Sequence, residues 1–166
     1  MILILDFDRT IFHTDAFENE YSDAVAVKKS LWKDGDLARH IYDDTIPFLE
    51  AHTHLTRVLM TYGNKEFQRA KVSGSSISPH FEHEVYTGRE LKGETIKRLY
   101  GENGHAEPIV FVDDTPYQLE SVVAECPEVT AVRIKRIGET KSLEPSCKGC
   151  LEVEDLKELE ALLKKI

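Results

Sequence analysis

Four aspartates, one threonine and one lysine carry the chemistry this chain is equipped to do. The opening stretch MILILDFDRT ends an apolar run in Asp6 and Asp8. Side chains two residues apart project to the same side of an extended chain, so both carboxylates can face one space. A carboxylate needs no base near neutral pH, and Asp6 could attack an electrophile to form a covalent intermediate. Asp8 could then protonate a leaving oxygen and later deprotonate a water. A second acidic pair, Asp113-Asp114, closes the run Phe111-Val112. Several carboxylates in one pocket call for a hard cation, and Mg²⁺ takes one or two of them together with phosphate oxygens and water. Asp6 and Asp8, with Asp113 or Asp114, are the candidate ligands. Thr61, with the amides of Tyr62 and Gly63 behind it, suits phosphate oxygens at a helix start. Lys92 stands at another helix start, where the dipole disfavours a cation, so an anion is expected beside it.

These groups are far apart in sequence, and only a particular architecture brings them together. Short apolar runs alternate with helical patterns, which predicts an α/β fold with a mainly parallel central sheet. The expected strands are Ile2–Asp6, Thr56–Thr61, His83–Tyr86, Pro108–Asp113 and Val129–Ile134. Parallel strands end on one edge of the sheet, and ligands bind in the crevice there. The runs Ile2–Leu5 and Ile109–Val112 lack polar alternation, as expected of strands covered on both faces. Thr115-Pro116-Tyr117-Gln118 reads as a capping box with proline at the first helical position. Leu156, Leu159, Leu162, Leu163 and Ile166 form a stripe expected to pack on the core.

The whole chain, residues 1–166, is expected to be one domain with a small helical lid at about 14–43. Phe17, Tyr21, Ala24 and Val25 share one helical face, and Lys33-Asp34-Gly35-Asp36 breaks toward a second short helix before Asp44–His52. Lid charges of both signs, Glu18, Glu20 and Asp23 against Lys28, Lys29 and Lys33, give no single-sign funnel. Lys135–Gly149, with Gly138, Pro145 and Gly149, reads as an exposed mobile loop.

Composition removes several function classes. The net charge of −9 argues against general binding to nucleic-acid backbones. No apolar run approaches the ~20 residues of a membrane span, and MILIL is too short for a signal segment, so a cytoplasmic location is expected. Cys126, Cys147 and Cys150 give no disulfide framework, and Cys147-Lys148-Gly149-Cys150 reads as loop cysteines rather than half a zinc site or a redox pair. His52, His54, His80 and His83 straddle a strand and loops and read as surface histidines.

The order DFDRT, Thr61 after an apolar strand, Lys92, then FVDD resembles the haloacid dehalogenase superfamily over roughly Met1–Ile134. TYGNKEFQRAK and Phe81 look like that family's phosphatases. The resemblance implies a Rossmann-like three-layer fold with a small cap after the first strand. It implies an aspartyl-phosphate on Asp6, Asp8 as acid and base, and Thr61 and Lys92 on the phosphoryl group. It also implies Mg²⁺ held by Asp6, the Asp8 carbonyl and Asp114, with Asp113 behind or acting through water. Arg9 departs from it, because glycine is most common after DxD. Dehalogenation has no use for a proton-donating second aspartate, so Asp8 favours hydrolysis of a small phosphate monoester. Transfer to another acceptor, a mutase, or a silent binding protein of the same fold are the alternatives. A signalling receiver would place its acidic pair early and its lysine late, the reverse of the order here.

Overall fold

Ile2, Leu3, Ile4 and Leu5 are all buried because strand β1 (Ile2–Leu5) has a neighbour on each edge and a layer of helices on each face. In the computed structural model, which describes residues 1–21, 32–101 and 107–166, Leu3 and Leu5 point into one apolar cluster and Ile2 and Ile4 into another. That is the alternation a pleated strand imposes.

The sheet is six-stranded and parallel, in the order β3-β2-β1-β4-β5-β6. The other strands are β2 (Thr56–Tyr62), β3 (His83–Gly88), β4 (Ile109–Asp113), β5 (Thr130–Ile134) and β6 (Leu151–Val153). Five match the expected runs to within two residues. The sixth, β6, is an unanticipated edge strand of three residues with only Val153 buried, too short to show a period.

The helices are α1 (Thr14–Glu20), α2 (Thr45–Ala51), α3 (Lys65–Gly74), α4 (Lys92–Ile96), α5 (Pro116–Glu125) and α6 (Leu156–Leu163). One cluster joins Phe48, Leu49, Val72, Leu156 and Leu159 to the sheet, so α2, α3 and α6 cover that face. The other joins Ile96, Leu119, Val122 and Cys126, placing α4 and α5 on the opposite face. The result is a three-layer Rossmann-like fold. Of the expected lid, α1 and a short turn of helix at Ala38–His40 are described. Asp23, Ala24, Val25, Lys28 and Lys29 lie outside the described residues.

Strand order reverses direction between β1 and β4, since the chain leaves β1 for β2 on one side and later fills β4 on the other. The two strand ends diverge there and open a crevice at the carboxyl edge. Asp6 follows β1, while Asp113 closes β4 and Asp114 follows it.

Two loop expectations need correction. The capping box at Thr115 is not formed: its hydroxyl donates to Asp114 Oδ1 (2.9 Å), and the Gln118 side chain is drawn to α4 instead. Lys135–Gly149 is largely exposed, as expected of a loop, but parts of it are held down. Arg133, fully buried, donates to the carbonyls of Lys141, Glu144 and Pro145 and gathers the loop over the sheet end. Arg136 and Glu139 are buried too. Cys147 and Cys150, expected as loop cysteines outside any disulfide framework, are joined as a disulfide. His52, expected at the surface, is buried instead, its Nδ1 lying 2.7 Å from the Phe48 carbonyl oxygen.

Helix α4 begins at Lys92, not after it, and its start is pressed onto α5. The Lys92 amide donates to Gln118 Oε1 (2.9 Å) and the Gly93 amide to Ser121 Oγ (3.0 Å). A Cβ on Gly93 would stand 2.2 Å from the Ser121 carbonyl oxygen, so this contact requires glycine. Gly93→Ala is therefore expected to destabilise the fold by about 1–3 kcal/mol, the usual cost of overpacking. Urea unfolding would read this, and an unchanged midpoint would mean α4 does not depend on that approach.

Candidate active site

The site is built from the strand ends outward. The Lys92 ammonium, on a residue only 1 % exposed, donates to Asp6 Oδ1 and to Asp113 Oδ2 (2.6 Å) and so ties β1 to β4. The anion expected beside this helix-start lysine is thus supplied by the protein's own carboxylates. Thr10 Oγ1 donates to the second Asp6 oxygen at 3.2 Å. Asp113 also accepts from the Thr115 amide (2.8 Å), which turns the chain sharply and brings Asp114 round to the same crevice. Arg133 Nε holds the Asp114 carbonyl (3.2 Å), and Lys141 Nζ reaches Thr115 Oγ1 (3.1 Å).

Carboxylate oxygens of Asp6, Asp113 and Asp114 lie within 4.8 Å of one another. Burial and the negative charges of Asp113 and Asp8 push the Asp6 carboxyl up to about 7, although Lys92 pulls the other way. Burial, Asp113 and Asp6 push Asp114 up to about 8 against the weaker pull of Lys141. Asp114 Oδ2 is buried without a hydrogen-bond partner. An acceptor left alone among carboxylates is what a cation would complete, so the residues present fit Mg²⁺. Asp6 and Asp114 would hold it, and when bound it supplies positive charge to phosphate oxygens.

Asp8 is brought to the same edge but its carboxylate is not part of that cluster. It accepts from Lys71 Nζ, from Thr14 Oγ1 (2.8 Å) and from Gln68 Nε2 (2.9 Å). Burial would raise its carboxyl, but the Lys71 ammonium and these three hydrogen bonds outweigh that and hold it below the ordinary aspartate range. Lys71 is itself only 3 % exposed, with Nζ at 5.3–5.7 Å from the rings of Phe67, Phe7, Phe12 and Phe17. Aromatic faces stabilise a cation stripped of water, and here they hold one against Asp8.

Thr61 is the last residue but one of β2, beside β1, and its hydroxyl is buried with no partner among the described residues. Tyr62 and Gly63 follow it at the strand end, as expected. Lys71, Gln68 and Thr14 were not singled out from sequence. Gln68 and Lys71 on α3 and Ser75 just past its end recur at helical spacing on the face that also buries Val72, and that stripe of polar residues on an inward face was the available signal.

Arg9 adopts a left-handed backbone, φ 56°, where only glycine is free of steric cost. This accounts for glycine being common at that position in the family it resembles. Its guanidinium donates to Asp15 Oδ1 (2.7 Å) and Glu18 Oε2 (3.1 Å) on α1, tying that helix to the end of β1. Glu139 faces the same knot: it accepts from the Tyr42 hydroxyl and the Asp15 amide (3.2 Å), with His13 Nδ1 at 2.6 Å.

Comparison with known proteins agrees with this architecture. Residues 1–140 match the model of the NLI interacting factor-like phosphatases. Among solved structures, a haloacid dehalogenase-like hydrolase from Burkholderia xenovorans LB400 superposes with a TM-score of 0.75 at 15 % identity, covering 99 % of this chain and 96 % of that one. The HAD-hydrolase YfnB from Bacillus subtilis, solved bound to magnesium, gives 0.68 at 12 % identity, covering 98 % and 97 %. The L-2-haloacid dehalogenase from Xanthobacter autotrophicus gives 0.67 at 12 % identity over 100 % of both chains. A comparison with curated protein sequences found no match. No helix among the described residues is long and apolar enough to cross a membrane.

The raised carboxyls give the metal-free chain a pH signature. Asp6 and Asp114 bind protons more tightly folded than unfolded, so their contribution is full below about 3.8 and is lost as pH rises to about 7–8. The melting temperature in chelator should fall between pH 5 and pH 8.5. Mg²⁺ should restore it most at the higher pH, by about 2.7 kcal/mol at a hundred times its dissociation constant. Asp114→Asn should flatten both effects. A melting temperature indifferent to Mg²⁺ at pH 8.5 would count against the site.

Proposed function

The chain belongs to the NLI interacting factor-like phosphatase family, and from that premise we propose that it is a Mg²⁺-dependent phosphatase acting on a phosphate monoester through Asp6. One observation carries the reading. On either side of β1 stands a buried polar atom without a partner: the Thr61 hydroxyl, a donor, and Asp114 Oδ2, an acceptor. A phosphate oxygen answers the first and a cation the second, and Asp6 lies between them.

In this reading an Asp6 oxygen attacks phosphorus, the bond to the ester oxygen breaks, and the leaving alkoxide takes the proton of Asp8, which must enter this half protonated although Lys71 holds the resting carboxyl ionised. Water then attacks the aspartyl-phosphate, gives its proton to Asp8, and releases phosphate from Asp6. Lys92 keeps the nucleophile fixed and faces the incoming charge, while the unpartnered Thr61 hydroxyl orients a phosphate oxygen; the Gly63 amide is already taken by the Gly88 carbonyl. Lys71 and Gln68 aim Asp8, whose carboxylate is needed as a base in the second half. The protein is a hydrolase of the haloacid dehalogenase superfamily, and halide displacement is the competing chemistry. That reaction leaves Asp8 and its three donors without a task.

Asp6→Asn is expected to lower Mg²⁺-dependent hydrolysis of p-nitrophenyl phosphate by about a thousandfold or more, as for loss of a nucleophile. Lys71→Met should lower kcat by about tenfold to a hundredfold with little change in KM, because it acts through a proton-transfer group. The wild type should not release halide from 2-chloropropionate. Halide release by the wild type, or equal background rates in wild type and Asp6→Asn, would reject the phosphatase reading.

A further inference from the structure

A groove of about 360 Å³ opens at the carboxyl ends of β2 and β3, lined by Tyr62, Gly63, Asn64, Lys65, Gly88 and Arg89. Its first two residues directly follow Thr61, so the groove starts where the phosphoryl site ends. Gln68 joins the two: its Nε2 donates both to the Tyr62 carbonyl (3.0 Å) and to Asp8 Oδ2 (2.9 Å).

The lining is unusual for this chain. The protein carries nine more acidic than basic charges, yet these six residues include two cations and no carboxylate. Neither Lys65 nor Arg89 forms an ion pair among the described residues. Glu90, whose carboxylate feels Lys65, is taken by the Arg98 guanidinium at 2.8 and 3.3 Å. The floor exists because Gly63 and Gly88 have left-handed backbones (φ 122° and 71°) and no side chains, with the Gly63 amide bonded to the Gly88 carbonyl at 2.9 Å. Lys65 lies across Gly88, its Cε 2.8 Å from where a Cβ would be. Tyr62 forms one wall and meets Tyr117, half exposed, edge to face.

We infer that this groove binds a second anionic group of the substrate, a phosphate or carboxylate a few bonds from the phosphate that is cleaved. The inference rests on the phosphatase reading and names its substrate class: small, doubly anionic phosphate esters. Arg89 supplies a planar fork and Lys65 a point charge, a combination suited to a tetrahedral or planar anion. Only a doubly anionic compound can engage both cations while its first phosphate sits at Asp6, and two charge-assisted hydrogen bonds are worth a preference of about tenfold or more.

Paired substrates test it: fructose 1,6-bisphosphate against fructose 6-phosphate for a second phosphate, and 3-phosphoglycerate against glycerol 3-phosphate for a carboxylate. The wild type should favour the doubly anionic member of at least one pair by about tenfold or more in kcat/KM, chiefly through KM. Lys65→Ala/Arg89→Ala should bring that ratio toward one, and Arg89→Glu should take it lower still. Both residues are exposed, so neither change threatens folding. A wild-type ratio near one in both pairs, or a ratio untouched by the double variant, overturns the inference while hydrolysis of p-nitrophenyl phosphate leaves the phosphatase reading standing. Absence of all phosphatase activity in the wild type overturns both.

Discussion

The ammonium of Lys92, held between Asp6 and Asp113, is the constraint on which the rest of the molecule depends. Two buried carboxylates at adjacent strand ends would repel one another and lack water to screen them. A buried cation removes that difficulty only if its position is fixed, because a buried charge deprived of its partner costs about 3–5 kcal/mol. Fixing it explains much of the architecture. The backbone at Lys92 is held by Gln118 and that at Gly93 by Ser121, and the missing Gly93 side chain lets α4 lie against α5. Helix α5 in turn starts where the Asp113–Thr115 turn sets it down. The apolar layer of Ile96, Leu119, Val122 and Phe111 thus serves to place one nitrogen atom.

Charge balance then decides what the crevice can accept. Asp6, Asp8, Asp113 and Asp114 face two buried ammoniums, Lys92 and Lys71, with Lys141 at the margin. Fully ionised, the four carboxylates exceed the two buried lysines by two charges, which is the charge of one divalent cation. Burial enforces that accounting, since it holds the Asp6 and Asp114 carboxyls protonated to higher pH in the absence of a cation. Asp8 is exempt because it has Lys71 to itself. The four phenylalanine rings around Lys71 keep that pair separate from the Lys92 clamp, so the two carboxylates at the tip of β1 are held by different cations.

The sequence made some of this legible and hid the rest for physical reasons. Strands β1 and β4 are unbroken apolar runs because both faces are covered, and such runs are visible without a structure. The acidic pairs, Thr61 and Lys92 were visible because each stands where a strand ends or a helix starts. Lys71 was not, since a buried lysine and a solvated one are the same letter, and only the ring of aromatics from three segments reveals the difference. Strand β6 is three residues of edge with two of them exposed, below the length at which any period appears. The loop after β5 looked mobile because its residues are polar. Its order comes from Arg133, whose guanidinium satisfies carbonyls that composition gives no reason to pair with it. At Thr115 the pattern of a capping box was present but outcompeted, as Asp113 already holds the Thr115 amide and Lys92 claims the Gln118 side chain.

Arg9 shows which side of the crevice has its charge already committed. An arginine in a left-handed backbone carries a cost on the order of 1 kcal/mol that glycine would avoid, so its side chain must return something. It returns the tie to Asp15 and Glu18. On that side the knot continues through Glu139, Tyr42 and Arg136, whose fork on Asp44 and bond to the Thr10 carbonyl fix the base of the lid to the loop after β5. These cations are already neutralised by carboxylates and have little charge left to offer an anion. On the β2–β3 side the situation is reversed, with Lys65 and Arg89 beside a floor of two glycines. Uncommitted positive charge therefore lies at the strand ends next to Thr61, while the side carrying α1 is tied down by its own ion pairs.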